Sequence, residues 1–155
     1  MPRLRCVRLG WIADIREASQ YGLMPTYKAI DIGVALRAVD SDLIAFEWKT
    51  NGITAVFILP DDDAHALRVS FDRPCIVRLS DEMAVSTEEE HTPNEGLVPN
   101  HFAYQLEGAH FSRSQSEAWK EVFGPVTHFQ FITGWGCMDV LSGGSPSFSV
   151  IPWPS

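Results

Sequence analysis

The sequence predicts a single α+β domain: a predominantly antiparallel, twisted β-sheet of about eight or nine strands with one or two helices packed on it. Three observations predict it. Short apolar runs alternating with period two recur along most of the 155 residues. The connections between them are short and polar, which suits antiparallel pairing, because parallel strands need long crossovers. One stretch in the C-terminal half instead places apolar residues at helical spacing.

Residues 1–28 carry the weakest pattern. Leu4, Cys6 and Val7 suit an edge strand. Trp11, Ile12, Ile15 and Ala18 have helical spacing, with Gly22 as a stop and Pro25 beyond it, so a short helix is expected over 11–20. The organising stretch is 29–59. Ile30, Ile32, Val34, Leu36 and Ala38 alternate with more polar neighbours, Asp40 and Ser41 break the run, and Leu43 to Lys49 forms a second run. Asn51-Gly52 then reads as a type I′ turn with positive φ at both positions, followed by a third run, Ile53 to Leu59. A three-stranded meander is expected.

Asp61-Asp62-Asp63 turns the chain into Ala64 to Phe71, and Asp72-Arg73-Pro74 turns it again into Cys75 to Leu79. Residues 80–100 are rich in acids and contain Pro93, Gly96 and Pro99, which predicts a long acidic loop. Phe102, Tyr104 and Leu106 alternate in a sixth run. Residues 112–124 are expected to be helical, with Ser114 and Glu117 as a capping box, Ala118, Trp119, Val122 and Phe123 as the apolar stripe, and Gly124-Pro125 as the stop. Val126 to Thr133, Cys137 to Leu141 and Ser147 to Ile151 are three further strands, the last an edge strand because Pro146 and Pro152 bound it. The core is expected to include Ile32, Val34, Leu36, Phe46, Trp48, Val56, Ile58, Val69, Trp119, Phe123 and Val140.

The net charge is −8, and residues 61–95 alone hold ten acids against Arg68, Arg73 and Arg78. Such a chain repels phosphate backbones and anionic membranes, so neither nucleic acid nor membrane is an expected partner; a basic protein is. Three cysteines, Cys6, Cys75 and Cys137, lie far apart. That argues against a disulfide framework and fits a cytoplasmic protein. No run is long and apolar enough to span a membrane.

The common phosphate-binding, nucleophile-elbow and zinc motifs are absent, so no cofactor or metal is expected. The weak catalytic candidates are His128, Cys137 and Asp139, since a tight turn between two strands brings them near one another and a Cys–His pair with a carboxylate makes an activated nucleophile. The binding candidates are Glu88, Glu89 and Glu90 in the acidic loop and Trp135, held between two glycines. Phe46-Glu47-Trp48, the stretch from Phe71 through Asp81-Glu82, and HFQFITGWGCMDVLSGGSP at 128–146 loosely resemble small acidic bacterial proteins of the toxin-neutralising, immunity type. The resemblance implies binding and blocking without catalysis, and it transfers no site residue. Two functions follow as expectations: a non-enzymatic protein-binding module using 61–95, or a small enzyme or ligand-binding domain with a pocket near His101, His128 and Asp139.

Overall fold

A computed structural model describes residues 24–154. The strand and helix expected within residues 1–20 lie outside the described residues. In chain order the elements are β1 (Thr26–Ala29), β2 (Leu43–Lys49), β3 (Gly52–Ile58), β4 (His65–Phe71), β5 (Cys75–Asp81), α1 (Glu82–Glu88), β6 (Ala103–Glu107), α2 (His110–Arg113), α3 (Glu117–Phe123), β7 (Thr127–Phe131), β8 (Gly136–Ser142) and β9 (Ser147–Pro152). The α+β, antiparallel class is the one the alternation predicts. The strands form two sheets, ordered β1-β6-β7-β8-β5 and β2-β3-β4-β9, and every ladder is antiparallel. β9 lies at an edge, as its flanking prolines require.

The core is the space between the sheets. Because side chains alternate, β3 sends Ile53, Ala55 and Phe57 inward and β4 sends Leu67, Val69 and Phe71. The five-stranded sheet answers with Ala103, Phe129, Phe131, Met138 and Val140. Phe57 meets Phe102 edge-on with ring centroids 4.9 Å apart, and Phe71 lies 5.4 Å from Phe129. Such pairs add about 0.5–1.5 kcal/mol each beyond the area they bury.

Several expectations are corrected. The run at 30–37 alternates but forms no strand: Gly33 takes φ 75° and its N–H donates to Asp31 Oδ1 at 2.9 Å, a local turn that replaces ladder pairing. Its apolar set, Ile30, Ile32, Val34 and Leu36, still packs against the core. The hairpin between β2 and β3 turns on Thr50-Asn51, with Lys49 already paired to Gly52, and neither Asn51 nor Gly52 has positive φ. Glycine is needed at 52 for a different reason: a Cβ there would stand 1.9 Å from the Phe71 carbonyl oxygen.

The acidic stretch is not all loop. Asp81 accepts a hydrogen bond from the Met83 N–H and starts α1. The expected helix at 112–124 is two short ones, because Ser116, not Ser114, caps α3 by accepting from the Trp119 N–H at 3.2 Å. Its stripe is not core. Val122 and Phe123 are exposed, and Trp119 stacks on Phe123 with centroids 5.2 Å apart. Trp48 is also exposed, since it points outward from an edge strand.

Candidate functional site

Register alone builds the site. Tyr104 pairs with Gln130, Gln130 with Asp139, and Arg78 with Asp139, so four strands place one continuous row across the outer face of the five-stranded sheet. Residues directly opposite in an antiparallel pair share a face and stand within side-chain reach. His128 and Cys137 lie on that face too, two residues along from Gln130 and Asp139.

Asp139 is fully buried at the centre of this row. Its Oδ1 accepts from His128 Nε2 at 2.7 Å and Gln130 Nε2 at 3.0 Å. Its Oδ2 accepts from Arg78 Nη2 at 2.8 Å and Nε at 3.1 Å. Burial alone pushes this carboxyl up, but the hydrogen bond and charge of His128 and the Arg78 guanidinium outweigh it and hold the group below the usual carboxylate range. An ionised carboxylate only accepts, so His128 donates through its Nε2–H and Gln130 turns its NH2 toward β8. Arg78 also forks onto Glu88 of α1 at 2.6 and 2.8 Å, and its guanidinium sits 4.4 Å from the centroid of the Phe111 ring. Glu88 first, and Asp139 with it, hold Arg78 more firmly charged than usual, against the opposing effect of burial.

Of the catalytic candidates, His128 and Asp139 meet and Cys137 does not join them. The Cys137 Sγ accepts from the Thr133 N–H at 3.3 Å, the thiol lies 3.7 Å from the Thr133 carbonyl, and burial pushes it up. His128 is buried under Phe111, with ring centroids 5.5 Å apart. The three binding glutamates diverge. Glu88 is tied to Arg78, Glu89 accepts from the His110 N–H, and Glu90 is exposed with no side-chain partner among the described residues. Trp135 is 58% exposed, its backbone fixed by the Glu82 N–H donating to its carbonyl at 2.7 Å. Asp61 and Asp62 belong to the other sheet's β3–β4 turn and pair with Arg37 and His65. Among the described residues no group of three or more His, Cys, Asp or Glu is placed to hold a metal ion, and no helix is long and apolar enough to cross a membrane.

Beside the polar row, on its Tyr104 side, is a cavity of about 870 Å³. Its walls are the sheet face (Tyr104, Gln130, Ile132), α1 with the turn after it (Val85, Glu89), and residues 92–101, including His101. The last wall is anchored. The Tyr104 hydroxyl donates to the Val98 carbonyl at 2.7 Å and accepts from the Val98 N–H at 3.0 Å, and Asn100, at φ 61°, receives the N–H groups of Ala38 and Val39. The Tyr27 N–H donates to the Glu95 carbonyl at 2.7 Å. Gln130, Tyr104 and Arg78 were not among the sequence-level candidates; only the strand register unites them. Comparison with family models, curated proteins and solved structures finds no match to this chain.

Proposed function

We propose that the protein is a ligand-binding domain whose cavity, on the outer face of the five-stranded sheet, takes a small molecule with a largely apolar body. One observation carries this: about 870 Å³ of space lies over an ordered sheet face, walled by a segment tied down through Tyr104 and Asn100. Such concave, mostly apolar sites with a few fixed polar groups are where small molecules bind. The probe is N-phenyl-1-naphthylamine, whose fluorescence rises in apolar surroundings. The full-length protein is expected to bind it saturably, and Val85→Trp, which puts an indole at the α1 wall of the cavity, is expected to weaken binding. No saturable binding by the parent, or equal binding by the variant, counts against the reading.

A second reading, binding of a basic protein partner, is favoured by a different surface. Trp135 and Leu79 are exposed on a shallow hollow that they share with Leu43 and Asp81. A salt-sensitive partner retained by the parent and lost by Trp135→Ala supports it; equal retention by both argues against it.

A further inference from the structure

We propose that the cavity selects ligands bearing a cationic ammonium head, received by the carbonyl of Gln130 and the carboxylate of Glu89. The inference rests on the cavity being a ligand site and adds the head group's chemistry.

Three observations converge. First, two buried acceptors of residues in the cavity wall have no partner among the described residues: Gln130 Oε1 and Glu89 Oε2. Gln130 is 4% exposed, and its amide is oriented, because Nε2 is committed to the Asp139 carboxylate on the β8 side. The carbonyl oxygen is the amide atom left uncommitted, and Gln130 and its cross-strand partner Tyr104 both line the cavity. Buried acceptors without donors are rare, and each calls for an N–H or O–H group to complete it. The other two unpartnered atoms, Ser80 Oγ and His128 Nδ1, belong to residues outside the lining.

Second, the donors nearest this part of the wall are turned to other acceptors. The Tyr104 hydroxyl donates to Val98, Thr133 Oγ1 donates to the Gly136 carbonyl at 2.8 Å, and His101 Nε2 lies 3.0 Å from the Ile30 carbonyl. An ammonium head would supply the hydrogens that these two acceptors lack. Third, among the described residues the lining carries Glu82, Glu89 and Glu90 and no lysine or arginine. Arg113 Nη2 pairs with Glu89 at its Oε1, 3.8 Å away, and its Nε donates to the Gly108 carbonyl, which leaves Glu89 Oε2 as the unpartnered oxygen. The field in the wall is negative. Burial first, then the carboxylates of Glu89, Asp139 and Glu88, push the Tyr27 hydroxyl up to about 12. A cation gains from that field and an anion loses.

The test is competition against N-phenyl-1-naphthylamine by three molecules of one shape: 2-phenylethylamine, 2-phenylethanol and 3-phenylpropionate. The amine is expected to compete at least about tenfold better than the alcohol, and the acid worst, since charge-assisted hydrogen bonds are roughly twice as strong as neutral ones. Glu89→Gln keeps the shape and should reduce the ratio of amine to alcohol affinity toward unity. The NMR signal of the Gln130 side-chain amide should shift with the amine. If the probe binds but the three compete equally, the cavity reading stands and the head-group assignment is overturned. If Glu89→Gln leaves the ratio unchanged, Glu89 is removed from the assignment and the proposal fails as stated. If neither the probe nor the amine binds, both readings fall.

Discussion

The two faces of the five-stranded sheet are made by the same strands and differ in kind. Inward, Phe129, Phe131, Met138 and Val140 meet the other sheet through apolar contact alone. Outward, one residue along each strand, Gln130, Asp139 and Arg78 form a row of charge-assisted hydrogen bonds. Dispersion contacts are many, small and roughly independent, so the inner face degrades by degrees as atoms are removed. The outer face is coupled. Its central carboxylate is completely buried, and removing one partner strands a charge that water cannot reach.

The largest contrast should come at Asp139. Asp139→Ala leaves Arg78 and His128 without their shared acceptor and is expected to cost about 3–5 kcal/mol in denaturant unfolding. On the inner face, Phe131→Leu is expected to cost only about 1–1.5 kcal/mol, because the change is a partial loss of volume. Equal costs would mean that the row is not a coupled unit.

Acid sharpens the comparison. Asp139 has a lowered carboxyl pKa in the folded state. Its contribution is therefore complete above the ordinary carboxylate range and is lost as pH falls below that range through the lowered value. Melting temperature should drop on the acid side, and Asp139→Asn should flatten that limb of the profile. A steep limb that survives in Asp139→Asn would assign it to other carboxylates.

The smallest effect belongs to the outer end of the row. Glu88 holds Arg78 but its side chain is 23% exposed, so Glu88→Gln should cost no more than about 1 kcal/mol. A loss as large as that of Asp139→Ala would move the centre of the network from the sheet to α1.

The strands were legible because period two survives in nearly every run, and the turn at 134–136 put His128 near residue 139 in sequence terms, without saying that the two side chains share a face. The division into two sheets was not legible. Asp72-Arg73-Pro74 looks like a hairpin connection, yet β4 and β5 lie in different sheets, and sheet membership depends on partners far away in sequence. The same non-local register is what assembles Arg78, Gln130 and Tyr104, so no local pattern marks them. Trp48 and Trp119 misled for a related reason: an apolar side chain at the right spacing still needs an opposing layer, and an edge strand and a short outer helix lack one. At Gly52 the expected place in a positive-φ turn fails: the residue opens β3, and what needs glycine there is the nearby Phe71 carbonyl, which no local pattern marks. Gly52→Val should still cost about 1–3 kcal/mol, through collision with the Phe71 carbonyl and not through turn geometry. Gly52→Ala should be damaging too, and a neutral Gly52→Ala would argue against the close approach.

The central claim is that the polar row and the cavity work as one device, Asp139 setting the Gln130 amide so that its carbonyl serves the ligand. The most direct measurement is the ratio of 2-phenylethylamine to 2-phenylethanol affinity in Asp139→Asn, in protein whose circular dichroism matches the parent. Asn offers Gln130 a donor as readily as an acceptor, so the amide is no longer held one way. The expected result is a fall in that ratio of about fivefold to tenfold, with N-phenyl-1-naphthylamine still bound. An unchanged ratio would contradict the account, because the ligand's head would then be recognised without the row behind it.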